Sequence, residues 1–279
     1  MPIHPAVVDR ELPPVPAPLP APVIDAHTHL DACGADDADG VAAAMGRAAE
    51  VGVRAAITVG DDLASCRWAV RATSWHPDLF AAVAIHPTHA DALDALARAE
   101  LEQLACTDRV VAIGETGLDY YWDSASHSVQ AEVFAWHIDL AKRTGKPLMI
   151  HDRQAHEDIL SILKSEGAPE TVVFHCFSGD EAMARACADA GYVMSFAGAV
   201  SFTNARELAA AAKTVPEDLI LVETDAPFLT PHPFRGRRNE PFALPYTVRA
   251  LADIRGADLE SLCISVRLNT LRTYGLPVS

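Results

Sequence analysis

From Val23 to the C-terminus, short apolar runs alternate with longer segments whose apolar residues recur at helical spacing. The short runs are Val23–Ala26, Val53–Val59, Leu79–Ile85, Val110–Ile113, Pro147–Ile150, Thr171–Phe174, Tyr192–Phe196 and Leu219–Val222. Each is too brief for a surface helix and too continuously apolar for a half-exposed strand. That pattern predicts strands buried on both faces, as in a parallel sheet. Between them lie Ala-rich amphipathic stretches such as Gly40–Val51, Ala92–Ala105, Val129–Thr144, Ala155–Ser165 and Asp180–Ala190. Gly52, Gly145, Gly167 and Gly191 close four of these, where helix stops commonly sit.

Eight such units in the 257 residues from Val23 to Ser279 predict an α/β protein of the (β/α)8 TIM-barrel class, in one domain over 23–279. An open doubly wound sheet is the competing architecture. No motif recurs at a fixed period, which speaks against an α-helical repeat array. Ahead of the barrel, eight of the 19 prolines fall within residues 1–22. This proline-rich N-terminal extension cannot be helical and lacks the apolar core of a signal peptide. It reads as a stiff leader along the domain surface, with a docking peptide for a partner as the alternative. Its removal is expected to leave fold and turnover nearly unchanged.

Composition narrows the function classes. Of the 279 residues, 22 are Lys or Arg and 38 Asp or Glu, a net charge of −16 that disfavours broad coating of nucleic acid. It leaves room for a site where metal ions supply the positive charge. No stretch is long and apolar enough to span a membrane. The six cysteines include no Cys-x-x-Cys pair, so they read as reduced thiols of a cytoplasmic protein.

The chemistry gathers where the predicted strands end, the face on which parallel barrels place their active sites. Strand 1 ends in Asp25-Ala26-His27-Thr28-His29, strand 3 at His86, strand 4 at Glu115, strand 5 at His151, strand 6 at His175 and strand 8 in Glu223-Thr224-Asp225. Five of twelve histidines on one predicted rim are hard to place by chance. Residues i and i+2 of a strand face one side, so His27 and His29 enter together. Imidazoles with carboxylates and no convergent thiolates suit Zn²⁺, Mn²⁺, Fe²⁺ or Mg²⁺. Six candidate ligands exceed the needs of one open ion. The expectation is two divalent ions, with His27, His29 and Asp225 on one, His151 and His175 on the other, and Glu115 between them. Such a pair activates a water and stabilises both oxygens of a phosphoryl displacement; Glu115 and Asp225 would then be catalytic as well as ligating.

These residues resemble the TatD-type metal-dependent deoxyribonucleases, within the amidohydrolase-like barrels. The likeness runs from Ile24 to Tyr274 through seven ordered blocks. They are Asp25–Asp31, Ala84–Pro87, Ala112–Tyr121, Pro147–His151, His175–Gly179, Glu223–Pro231 and Arg235–Pro241. The resemblance implies a barrel nuclease using Mg²⁺, Mn²⁺ or Zn²⁺, with 3′→5′ exonuclease and endonuclease activities on DNA among its members. It implies the same six ligands. Ala84 stands where the family usually has Gly, and the leader is additional.

For the substrate, His86 has no place in the two-ion set and reads as a phosphate donor or general acid, or else as a residue that orients a ligand. Arg235, Arg237 and Arg238 follow strand 8, where barrels often hold phosphate. Tyr120, Tyr121, Trp122 and Phe177 follow strands 4 and 6, where aromatics can stack unpaired bases. With the negative overall charge, this favours a single strand or a 3′ end as the DNA partner. The rival is a small-molecule hydrolase acting on a lactone or amide; many of those use a carboxylated lysine at the end of strand 4, which Val110–Gly114 lacks. A barrel kept only as a metal-bound scaffold is the remaining class.

Overall fold

All eight apolar runs form strands in the computed structural model, which describes residues 10–122 and 124–277. They are β1 (Val23–Thr28), β2 (Val53–Gly60), β3 (Leu79–Val83), β4 (Val110–Asp119), β5 (Leu148–Arg153), β6 (Val172–Phe174), β7 (Val193–Phe196) and β8 (Ile220–Val222). Every strand pairs in parallel with the next in chain order, giving one sheet β1 to β8. Helices α1 (Ala38–Glu50), α2 (Leu63–Ala72), α3 (Ala95–Ala105), α4 (His127–Thr144), α5 (His156–Glu166), α6 (Glu181–Asp189), α7 (Arg206–Thr214), α8 (Leu244–Arg255) and α9 (Leu259–Tyr274) lie between and after the strands. This is a (β/α)8 barrel, as the alternation predicts.

The helices begin where side chains can satisfy their first free N–H groups. Asp37, Asp62, Asp94, Ser126, Asp180 and Asp258 each accept from a backbone N–H of the first turn, a cap worth about 1 kcal/mol each. At the other end of α4, Gly145 takes the left-handed conformation (φ 65°) that the Ala141 and Lys142 carbonyls need in order to be capped.

Alternate strand residues fill two layers. Ile24, Ala26, Ile57, Val59, Phe80, Ala82, Ala112, Met149, Val173, Val193 and Leu221 form an inner cluster, which α9 plugs from below with Leu271 and Tyr274. Val23, Val53, Ala81, Val83, Leu148, Ile150, Val172 and Phe174 face outward into the helices. Period two then sets the rim: Ala82 leads to His86, Met149 to His151, Val173 to His175, and Leu221 to Glu223 and Asp225. On β1 and β4 the pairing shifts between Asp25 and Thr28 and between Ile113 and Thr116. Those irregularities change the parity and turn His27 and Glu115 inward.

The barrel closes between its first and last strands by side-chain and loop contacts rather than by a ladder. Thr28 and Ala226 form an isolated parallel bridge. The Asp225 N–H donates to the His27 carbonyl (2.9 Å), and the His29 N–H to that of Ala226 (2.7 Å). Below them, buried Asp25 accepts from the Thr224 N–H (2.9 Å) and hydroxyl (2.6 Å). Burial pushes the Asp25 carboxyl up to about 8, against the pull of those two hydrogen bonds.

Residues 10–22 lie along the barrel; the first nine residues of the leader fall outside the described residues. Leu19 is buried in the outer core, and its N–H donates to the Val51 carbonyl. Tyr246 donates to the Pro14 carbonyl and Arg249 to those of Ala17 and Pro18. Arg237 donates to the Leu12 carbonyl, and the Arg238 N–H to that of Glu11. This strap ties α8 and the loop after β8 to the barrel. Deleting residues 1–21 would remove all of these contacts, which speaks against the expectation that fold and turnover are indifferent to the leader.

Candidate metal centre

The six sequence-predicted ligands meet at the C-terminal mouth of the strands. Glu115 is at their middle, 4% exposed, and its two oxygens face different partners. Oε1 lies 3.4 Å from His29 Nε2 and 3.7 Å from His27 Nε2. Oε2 lies 2.8 Å from His175 Nε2 and 3.1 Å from His151 Nδ1. Asp225 Oδ1 is 3.7 Å from both His27 and His29 Nε2. Among the described residues, four groups of three donor atoms lie within 4.8 Å of one another: His27–His29–Asp225 and Glu115–His151–His175, and two more that bring in Glu223, with His27 and His175, and His86 and Asp119, with His151.

The partners behind the imidazoles fix which nitrogen faces the centre. His29 Nδ1 is 2.9 Å from the Val59 carbonyl, which can only accept, so Nδ1 carries a proton and Nε2 is the nitrogen left to take a metal ion or a second proton. His175 Nδ1 likewise donates to Glu223 (3.2 Å), and His27 Nδ1 faces the Met149 sulfur (3.2 Å). Three Nε2 atoms therefore converge beside Glu115 and Asp225, those of His27 and His29 3.1 Å apart. A divalent cation can take the place of the protons shared among them. The donor set, imidazole and carboxylate without thiolate, fits a divalent ion.

Electrostatics agree with that reading. Burial alone would raise the Glu115 carboxyl, but the charges of His175 and His86 and hydrogen bonds from His151 and His175 hold it well below the usual carboxylate range. Burial pushes Asp225 up to about 7, although His175 and His29 oppose it. Burial would lower His29, yet its hydrogen bond and charge interaction with Glu115 carry it up to about 10. Burial and the neighbouring charge of His175 drive His27 the other way, well below 6.5. Like and unlike groups are thus crowded into one dry space, as at sites that hold ions.

His86 lies outside the six predicted ligands but faces the same space, in the group with Asp119 and His151. Its Nδ1 accepts from the Thr88 N–H (3.1 Å), which places the proton on Nε2, and Nε2 lies 3.9 Å from Glu115 Oε2. At that distance it makes no hydrogen bond to Glu115. His151 Nε2 donates to Asp119 Oδ2 (3.0 Å), and Asp119 also accepts from the Tyr121 and Trp122 N–H groups.

The predicted substrate contacts are placed less uniformly. Tyr120 is engaged by the protein itself, stacked on His127 and donating to Asp158. Phe177 is buried against Phe174 and Phe196, where no base can reach it. Arg238 turns inward to Glu240 (2.9 Å). Arg235 remains exposed beside the mouth. The exposed aromatics are Tyr121, Trp122 and Phe228, and Arg153 lies over the Tyr121 ring at 3.9 Å. Sequence reasoning gave no role to Arg153, Asp119 or Glu223. The usable signal was position: all three lie at or just past the ends of strands, within one to four residues of a predicted ligand or of the aromatic run.

A parallel barrel whose strand ends gather imidazoles and carboxylates around a shared glutamate is the build of a metal-dependent hydrolase. The TatD related DNase family model matches residues 24–275, and the chain belongs to that family. It is 58% identical over 259 residues to an uncharacterized metal-dependent hydrolase, TatD, of Mycobacterium tuberculosis, covering 91% of this chain and 98% of the relative. It is 38% identical to the metal-dependent hydrolase YabD of Bacillus subtilis over 90% of this chain and 98% of that one. Among solved structures, the TatD homologue YjjV of Escherichia coli superposes with a TM-score of 0.85 at 26% identity, covering 91% and 98% of the two chains. No helix among the described residues is long and apolar enough to cross a membrane.

Proposed function

We propose that this chain is a deoxyribonuclease that hydrolyses phosphodiester bonds with two divalent ions, acting 3′→5′ on single-stranded or frayed DNA in the cytoplasm. The observation that carries the reading is Glu115, whose two oxygens point to two separate groups of ligands. Family membership supports DNA as the substrate. His27, His29 and Asp225 would hold one ion, His151 and His175 the other, and Glu115 both. When bound, such a pair supplies Lewis acidity and an acidified water.

The chain's own residues do the remainder. Glu115 and Asp225 supply negative charge that holds the cations against mutual repulsion. His86 presents its Nε2–H to a non-bridging phosphate oxygen, where one such donor commonly contributes 10²- to 10³-fold. Val59, Glu223 and Asp119 hold the imidazoles of His29, His175 and His151 in their working tautomers. Arg235, exposed at the mouth, meets the backbone of the strand. The small-molecule alternative lacks support at β4, which brings a glutamate to the centre and carries no lysine.

The test is release of 3′ mononucleotides from a single-stranded oligonucleotide, before and after dialysis against chelator. Activity should vanish on chelation and return with Mg²⁺ or Mn²⁺. Full activity in protein shown by elemental analysis to be metal-free would overturn the two-ion reading. Hydrolysis of lactones or amides with none of DNA would favour the alternative.

A further inference from the structure

A cleft of about 310 Å³ opens beside the centre on the β8 side. Phe228 forms part of its wall, and the same ring meets that of His29 edge-on at 6.3 Å, so the cleft and the centre share a boundary. Three guanidinium groups, those of Arg10, Arg235 and Arg237, line it.

Each guanidinium is held differently. Arg235 lies 4.6 Å above the Phe202 ring, and no carboxylate pairs with it among the described residues. Arg237 is fixed by its bond to the Leu12 carbonyl and by the Phe234 ring, and Glu11, an 86% exposed residue, approaches it at 3.7 Å. Arg10 is brought by the strap, from more than 200 residues away in sequence, and donates to the Gly236 carbonyl (2.9 Å). In a chain of net charge −16, three cations around one small cleft reverse the local field. Planar guanidinium forks beside aromatic rings are suited to phosphate oxygens.

We propose that this cleft is a subsite for the phosphodiester that flanks the one being cut, gripped by Arg10 and Arg235, with Phe228 as the wall between the two positions. The proposal rests on the nuclease reading. It gives the proline-rich strap a part in substrate recognition, since Arg10 reaches the cleft only because residues 11–19 are laid along the barrel. Glu11 competes with the phosphate for Arg237.

The test uses the full metal-loaded chain and a fluorescent single-stranded oligonucleotide with phosphorothioate linkages, which keep their charge and slow cleavage. One linkage at a time, near the 3′ end, is replaced by an uncharged methylphosphonate. The parent should lose about tenfold in affinity at one linkage next to the scissile position, the equivalent of one charge-assisted contact. Arg235→Ala and Arg10→Ala should each weaken the all-charged oligonucleotide by about tenfold and become insensitive to that same replacement. Each should also flatten the slope of log Kd against log salt concentration by roughly 0.7–1. Glu11→Gln, which leaves the strap's backbone contacts in place, should tighten binding about threefold. Equal losses at every linkage, parental affinity in both arginine variants, or no binding by the parent would overturn the subsite. If an ordinary oligonucleotide is bound with this coupling yet never cleaved, the nuclease reading fails and, with it, the placement beside a scissile bond, while the phosphate contact of Arg10 and Arg235 is kept.

Discussion

Glu223 and His175 are joined by a buried contact of 3.2 Å, from the imidazole Nδ1–H to the Glu223 carboxylate, while the opposite nitrogen of the ring faces Glu115 at 2.8 Å. The same Glu223 oxygen accepts from the Cys176 N–H at 2.6 Å, so one carboxylate fixes both the ring and the backbone beside it. Its other oxygen is buried without a hydrogen-bond partner. Glu223→Gln should therefore leave a folded protein whose metal affinity is about 10- to 100-fold weaker, because the ring loses its charged anchor. Competition with a chelator of known affinity measures this. Unaltered affinity would show that His175 does not bind metal through the nitrogen opposite Glu223.

Glu115→Gln should be the most damaging single change. The amide keeps the size of the side chain but cannot serve two cations, and a loss of ~4 kcal/mol would slow turnover roughly a thousandfold. Melting temperature should change little, since the residue sits on the rim. Metal content should fall from two ions per chain to one. Turnover within tenfold of the parent would refute the role given to Glu115.

His86→Ala should retain both ions and lower kcat by roughly 10²- to 10³-fold through loss of one phosphate donor. His86→Gln, which can still present an N–H, should recover part of that loss. Loss of metal in either variant would instead make His86 a ligand.

Stability should depend on pH through His137, a fully buried imidazole of α4 that packs behind the rim against Ile85 and Thr116. Its Nε2 accepts from the Ile85 N–H and its Nδ1 donates to the Val133 carbonyl, and burial holds the imidazole at about 4 rather than 6.5. The folded pKa is depressed, so below 6.5 the unfolded chain takes up the proton first. The contribution is complete above pH 6.5 and is lost as pH falls toward 4, by about 3 kcal/mol. Urea unfolding at pH 7, 5.5 and 4.5 should give a shallower decline for His137→Gln than for the parent. Parallel declines would mean that His137 plays no part in acid lability.

Strand positions, and which imidazoles and carboxylates gather at the mouth, were legible because buried parallel strands are written as unbroken apolar runs, and the polar residue after each run marks the rim. Strand β4 was the exception. Its apolar run stops at Ile113, yet the strand continues to Asp119 through Gly114 and Gly117. A Cβ at Gly117 would come within 2.1 Å of the His151 carbonyl oxygen, so close pairing with β5 demands a residue that carries no hydrophobic signal. Phe177 and Tyr120 show the other limit. An aromatic beside a ligand can face the mouth or the core, and only neighbours distant in sequence, here Phe196 for Phe177 and Asp158 for Tyr120, decide which. The leader reads as a stiff segment along the surface, but its anchors were opaque for the same reason, since they lie on α8 and the loop after β8.

The closure between the first and last strands has a consequence for the order in which the molecule comes into being. Asp25 and Thr224 are 199 positions apart, and the residues bonded just above them include His27, His29 and Asp225. At ~5–20 residues per second, His29 leaves the ribosome roughly 10–40 s before Asp225 follows it. Through that interval the growing chain carries a His-x-His pair and several finished βα units, but no enclosed centre. A chain that stops short of β8 would lack both Asp225 and the Thr224 hydroxyl that joins the last strand to the first, so the centre is assembled all at once, with the final turn of the barrel.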